Sequence, residues 1–75
     1  MKPLLITINP SDTVAILTET GRKGEMIGDI ILLSDIPQGH KVALKDLDKG
    51  DAVLRYGVVL GYLLEDVKQG GWINE

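Results

Sequence analysis

Histidine is the one side chain that ordinarily changes charge near neutrality, and this chain has a single copy, His40. It stands directly after Gly39 and before Lys41. The position reads either as a surface histidine following a turn or as a metal ligand, an acid/base group or an anion contact. Alone it cannot build a metal site, because such sites take three or four ligands and the chain has no cysteine or second histidine. Ligation at His40 therefore needs groups from another domain or chain. Lys41 and Arg55 are candidates for holding a carboxylate, Arg55 through its bidentate fork. Their plainer reading is solvated charge on outward strand positions. Asp35, Asp46 and Asp66 invite comparison with catalytic carboxylates, but each opens a turn, and turn capping explains them better.

Those aspartates share one setting, Asp-apolar-x-x-Gly-x-x-apolar. It occurs at Asp35–Val42, Asp46–Val53 and Asp66–Ile73. Each copy predicts a tight corner entering a strand. The Asp is expected to bond a backbone N–H two or three residues on, and the Gly to supply a positive φ. Around the corners, 4–8, 14–18, 30–33, 40–44 and 72–73 read as strands. Residues 53–62 read as two strands broken at Arg55-Tyr56-Gly57, with Gly61 marking a bulge. Gly21-Arg22-Lys23-Gly24 reads as a hairpin-type loop, and 44–47 as one helical or 3₁₀ turn at most. No stretch sustains a 3.6-residue period, so the fold class is all-β with short strands and glycine corners.

Seventy-five residues without cysteine make one domain, 1–75, with a small core and no disulfide to reinforce it. Tight turns, or docking against something larger, are the remaining reinforcements. A net charge of −3 with scattered basic residues excludes a general nucleic-acid binder. No apolar run approaches a membrane span, and 4–8 is too short for a signal core, so a cytoplasmic protein without a membrane partner is the default. Gly21–Gly24 lacks the context of a phosphate loop, and Ser11 and Ser34 have no histidine beside them. On its own residues the chain is not a complete enzyme, and no catalytic residue is assigned. The aromatics Tyr56, Tyr62 and Trp72 all lie in the last twenty residues. Tyr62 is expected in the core, and Trp72 either in the core or as a docking anchor.

The segments Ile36-Pro37-Gln38-Gly39-His40-Lys41-Val42-Ala43-Leu44, Asp46-Leu47 and Arg55-Tyr56-Gly57-Val58-Val59-Leu60-Gly61-Tyr62 resemble the N-terminal SAF domain of the altronate/galactarate dehydratase family. Asp12-Thr13-Val14-Ala15-Ile16 resembles that family's Asp-Asn-Val-Ala stretch. The ending Gly71-Trp72-Ile73-Asn74-Glu75 is closer to the galactarate form, Ser-Trp-Ile-x-Glu, than to the His-x-His-Asn of altronate and sulfolactate members. The histidines of that segment are missing here, so no histidine cluster is carried over.

The resemblance implies a β-clip fold, shared with antifreeze-like domains, and membership of a lyase that removes water from a sugar acid. It implies a divalent metal, iron, in the complete enzyme, with none held tightly by this chain alone. Within such an enzyme His40 would touch metal or substrate, and Lys41, Arg55 and Tyr56 would meet the sugar-acid carboxylate. Trp72 and Glu75 would face the large C-terminal catalytic region. The chemistry implied is removal of the proton α to a carboxylate followed by loss of a β-hydroxyl. A free-standing small subunit of a sulfolactate sulfo-lyase-like enzyme is the alternative, as is a non-catalytic module holding a carbohydrate or a partner protein. Homo-oligomers are compatible with any of the three.

Overall fold

Four glycine-ended corners, not three, fold this chain. A computed structural model describes residues 2–7 and 9–73, and contains no helix among them. The strands are β1 (Leu5–Ile6), β2 (Val14–Leu17), β3 (Met26–Ile27), β4 (Ile30–Ile31), β5 (Lys41–Ala43), β6 (Ala52–Arg55), β7 (Val58–Tyr62) and β8 (Trp72–Ile73). One antiparallel sheet has the order β1-β2-β5-β8, and β3-β4 and β6-β7 form separate hairpins. The all-β expectation holds. Of the expected first strand, Leu5–Ile6 is strand and Ile8 lies outside the described residues, as does Glu75. The short strand β3 escaped the sequence reading, and 44–47 holds bends and a bridge instead of a helical turn.

Each corner takes a left-handed glycine, with φ of 87° at Gly24, 83° at Gly39, 90° at Gly50 and 86° at Gly70. An L side chain avoids that region, which is why the position is fixed. The aspartates work differently from expectation. They tie one corner to another instead of capping their own. Asp46 Oδ1 accepts the N–H of Gln69 at 2.9 Å, and Asp66 Oδ1 accepts that of Lys49 at 2.7 Å. Between them Leu47 and Val67 exchange both backbone hydrogen bonds. Asp35 likewise accepts the N–H of Lys23 at 2.8 Å, and its reciprocal partner is Thr20, whose Oγ1 accepts the N–H of Gln38 at 3.2 Å. Gly21 and Ile36 exchange the matching backbone bonds. Thr20-Gly21-Arg22-Lys23-Gly24 is thus a fourth, altered copy of the corner, and it does not close a hairpin as expected.

These ties divide the domain into two similar halves. Leu17 N–H donates to His40 O as Ala43 N–H does to Gly71 O, and Leu32 N–H donates to Glu25 O as Leu63 N–H does to Asp51 O. Corresponding residues are therefore 26 apart before the hairpins and 31 apart after them, so the second hairpin is five residues longer. Each half has its own apolar cluster. One contains Leu17, Ile27, Ile30, Leu32, Ile36 and Val42, and the other Val14, Ala43, Leu47, Val53, Leu63 and Ile73. Where the second half has Ala43 and Leu47, the first has Leu17 and Gly21. A Cβ on Gly21 would overlap Leu32 Cδ1 and lie 3.1 Å from Leu17 Cδ2. The larger Leu17 occupies the space that Leu47 fills in the other half.

The longer hairpin turns through Tyr56 (φ 56°) and Gly57 (φ 72°), the pair of positive φ values of a type I′ turn. The register slips between Val53 and Leu54, opposite Gly61 and Val59, leaving Leu60 as the extra residue of a bulge. That bulge was expected from Gly61. Tyr62 was expected in the core, and the structure instead leaves it 63% exposed on the outer strand.

Candidate functional site

His40 leaves the second corner with its backbone pinned on both sides. Its N–H donates to Pro37 O at 3.2 Å, and its carbonyl accepts the N–H of Leu17 at 3.0 Å. Pairing of Val42 with Trp72 in the β5–β8 ladder makes His40 a diagonal cross-strand neighbour of Trp72, within reach of aromatic side chains. The two rings meet edge to face, with centroids 5.2 Å apart and planes at 86°. Trp72 Nε1–H donates to His40 Nδ1 at 3.2 Å. Nδ1 must then be the bare nitrogen, so the neutral ring carries its proton on Nε2. Trp72 thereby fixes both the tautomer and the tilt of an exposed imidazole, leaving Nε2 for an incoming group.

Lys41 is half-buried and follows His40 in extended chain, so strand alternation turns it to the other face. Arg55 and Tyr56 lie elsewhere. Arg55 stacks on the Tyr56 ring, 4.4 Å from its centroid, and its Nη2 donates to the Tyr56 hydroxyl at 2.6 Å. Strand β2 serves as a ruler between the two places. Thr13 N–H bonds Leu54 O at one end, while Leu17 N–H bonds His40 O at the other. Four residues of strand set them roughly 13 Å apart. The structure therefore joins His40 with Trp72 and holds Arg55 with Tyr56 as a separate pair.

Asp12 is a residue whose part was not foreseen. The residue is nine-tenths buried, and its carboxylate accepts three backbone N–H groups, from Gly57 at 2.8 Å, Tyr56 at 3.0 Å and Asn9 at 3.3 Å. It clamps the tip of the long hairpin to the β1–β2 turn. Thr13 continues the clamp, as its Oγ1 accepts the N–H of Leu54 at 3.0 Å and donates to Ala52 O at 3.1 Å. The sequence marks Asp12 only through the family-like stretch Asp12-Thr13-Val14-Ala15-Ile16, which does not point to a partner 45 residues away.

Among the described residues no group of three or more His, Cys, Asp or Glu is placed to hold a metal ion. His40 offers one nitrogen, and the carboxylates nearest in the chain are bound to corner amides. A shallow depression of about 310 Å³ beside Thr13, Lys45, Asp46 and Asp51 contains none of the predicted site residues. No helix among the described residues is long and apolar enough to cross a membrane.

Comparison with known proteins agrees with this architecture. Residues 3–75 match the family described as the altronate/galactarate dehydratase SAF domain. The chain is 41% identical over 73 residues to galactarate dehydratase (L-threo-forming) of Escherichia coli, covering 93% of this chain and 14% of that protein. It is 38% identical over 69 residues to altronate dehydratase of the same organism, covering 87% of this chain and again 14% of the relative. The alpha subunit of (2R)-sulfolactate sulfo-lyase from Paracoccus pantotrophus is 46% identical over 41 residues, 55% of this chain and 61% of that subunit. The chain thus spans about a seventh of the length of the dehydratases it matches. It belongs to the SAF-domain family of altronate and galactarate dehydratases.

Proposed function

We propose that this SAF domain serves a sugar-acid hydro-lyase of the galactarate/altronate type, docking on a larger catalytic region and forming part of the active-site wall. The observation that carries the reading is the 41% identity to a galactarate dehydratase across nearly the whole chain. The held imidazole of His40 supplies the chemistry this wall would offer. With Nδ1 taken by Trp72, Nε2 can meet a substrate hydroxyl, a carboxylate or a metal from one fixed direction. Lys41 and Arg55 add positive charge that draws an anionic substrate toward the domain. Tyr56 orients Arg55.

Divalent metal, iron in this reading, belongs to the complete enzyme, where it supplies Lewis-acid stabilisation of charge on the substrate. Its ligands come from the catalytic region, with His40 as the one group this chain would add. A second reading rests on the likeness to a sulfo-lyase alpha subunit, in which this chain is a separate small subunit. The reading frame adjoining the coding sequence separates the two.

The test is His40→Ala and His40→Gln in the complete enzyme, assayed for sugar-acid dehydration and for bound metal. Loss of a positioned acid/base or binding group lowers kcat/KM by about 10²–10⁴-fold. Wild-type activity together with wild-type metal content in both variants overturns the assignment of His40. Turnover by the 75-residue chain alone overturns the accessory role.

A further inference from the structure

We infer that the outer strand of the long hairpin is the seat of the catalytic region, an apolar ribbon that the rest of the same polypeptide covers. This inference rests on the dehydratase reading above and names the surface through which the domain acts. The ribbon comprises the five residues by which the second half exceeds the first. Its inner strand, β6, is held by Thr13, and among the described residues β7 has no strand on its far side. From Tyr56 to Leu64 there is no charged residue. Tyr56, Val58, Val59, Leu60, Tyr62 and Leu64 are all exposed, Leu64 by 74%. Three consecutive exposed apolar residues, Val58 to Leu60, mean that both faces of the strand are uncovered. The corresponding turn of the first half is only Gly28-Asp29, short and charged.

An uncharged, apolar edge strand is a surface that folded proteins ordinarily cover, because it recruits other strands. The same segment is held in shape. Asp12 fixes its tip and a bulge bends its middle, so little ordering remains to be done on docking.

The size of the patch argues for the occupant. Six residues exposed by about half present on the order of 500 Å², the upper end of the ~300–600 Å² of a typical monomer's largest patch. Buried against an equal area it makes roughly 1,000 Å², short of the ~1,600 Å² of a standard interface between separate proteins but inside the ~600–1,500 Å² of interfaces between tethered domains. A second copy of this chain would have to associate on that small area without a tether. The dehydratase relatives place about six-sevenths of their length outside the matched segment. A covalently linked region has an effective concentration near millimolar, and a modest apolar patch is then enough.

The experiment places the photo-crosslinker p-benzoylphenylalanine at Tyr62 of the complete enzyme, with Asp29 as control. Crosslinks are mapped by mass spectrometry, and dehydratase activity is measured on the same sample. The expected result is an intramolecular crosslink from position 62 to the catalytic region, at least tenfold more abundant than from position 29. Crosslinks to a second SAF domain overturn the inference in favour of self-association. Absence of any crosslink in an active dehydratase overturns it while leaving the functional reading intact. The expected crosslink in an enzyme without sugar-acid dehydratase activity supports the docking surface and removes the dehydratase assignment. A double variant at two exposed positions, Val59→Asp with Tyr62→Asp, checks the energetics, with circular dichroism confirming that the domain stays folded. It should detach the domain and raise limited-proteolysis rates at its junction at least tenfold. Wild-type rates count against the inference.

Discussion

Leu17 and Gly21 should be exchangeable for the pair that the other half uses in their place, alanine and leucine, but only together. Leu17 and Leu32 are essentially without solvent contact, and Gly21 lies against both. Leu17→Ala alone empties a closed site and should cost about 2–5 kcal/mol. Gly21→Leu alone drives a side chain into Leu32 Cδ1 and Leu17 Cδ2, adding about 1–3 kcal/mol of overpacking. A 75-residue domain has about 4–11 kcal/mol in total. Simple addition of the two costs, about 3–8 kcal/mol, would remove much of that stability.

In the double variant the new leucine enters the volume that Leu17 vacates, as Leu47 does beside Ala43. Altered Cα–Cβ directions should leave a residual cost of about 1–2 kcal/mol, as volume-conserving swaps do. The cycle should therefore show a favourable coupling of about 2–4 kcal/mol. Urea unfolding of the four proteins, followed by Trp72 fluorescence and circular dichroism, measures it. Additivity within about 0.5 kcal/mol, the range of independent sites, would show that the halves are not equivalent in packing and refute the reasoning.

Three further outcomes follow from single positions. Asp12→Ala leaves the part-buried N–H groups of Tyr56 and Gly57 without their acceptor and should cost about 1–3 kcal/mol in urea unfolding, with Asp12→Asn costing about half and amide exchange at Gly57 accelerated in both. Gly70→Ala should prevent folding, because its Cβ would overlap the Ile31 carbonyl oxygen at a φ of 86°, whereas Gly50→Ala meets open space at 90° and should cost only the left-handed strain of about 1–2 kcal/mol. In nitrogen-15 spectra the neutral His40 ring should show protonated Nε2 and bare Nδ1, and Trp72→Phe should erase that preference; a predominant Nδ1–H form in the wild type would contradict the Trp72 hydrogen bond.

What the sequence displayed of this fold was its local chemistry. Glycines that must be left-handed and short β-rich runs announced an all-β chain with corners, and the bulge near Gly61 was visible for the same reason. Partners distant in sequence were not visible. An aspartate before a turn looks alike whether it caps its own turn or ties down one 17 or 23 residues away, as Asp66 and Asp46 do. The fourth corner was hidden because Thr20 replaces Asp and Gly21 replaces the apolar residue, although a hydroxyl accepts the same N–H bond. Strand β3 is two residues long, too short for any alternation. At the site, His40 was recognisable by type, but the tryptophan that orients it is 32 residues away. Tyr62 was misplaced because this exposed outer strand carries the same kind of apolar run as a strand inside the core.

The two halves agree in what folding needs and differ in what it does not. Corner glycines, reciprocal ties and both apolar clusters recur, with Leu17 and Gly21 traded for Ala43 and Leu47. The departures are three, and each imposes a cost on the isolated domain. His40 stands where the other half has Gly71, and Trp72 where it has Lys41, so two rings are held partly in solvent. The five-residue extension exposes a run of apolar side chains and places the non-glycine Tyr56 at positive φ, a conformation worth about 1–2 kcal/mol of strain. The first half closes its hairpin with Gly28-Asp29 and needs none of this. Features that are unnecessary for closure, costly in isolation and absent from the companion half are best explained by something outside the domain. In the function proposed above, the extension would lie against an apolar surface and His40 would meet a ligand at Nε2. The stable frame and the functional surface of this domain are therefore separable, residue by residue, along the line where its internal symmetry fails.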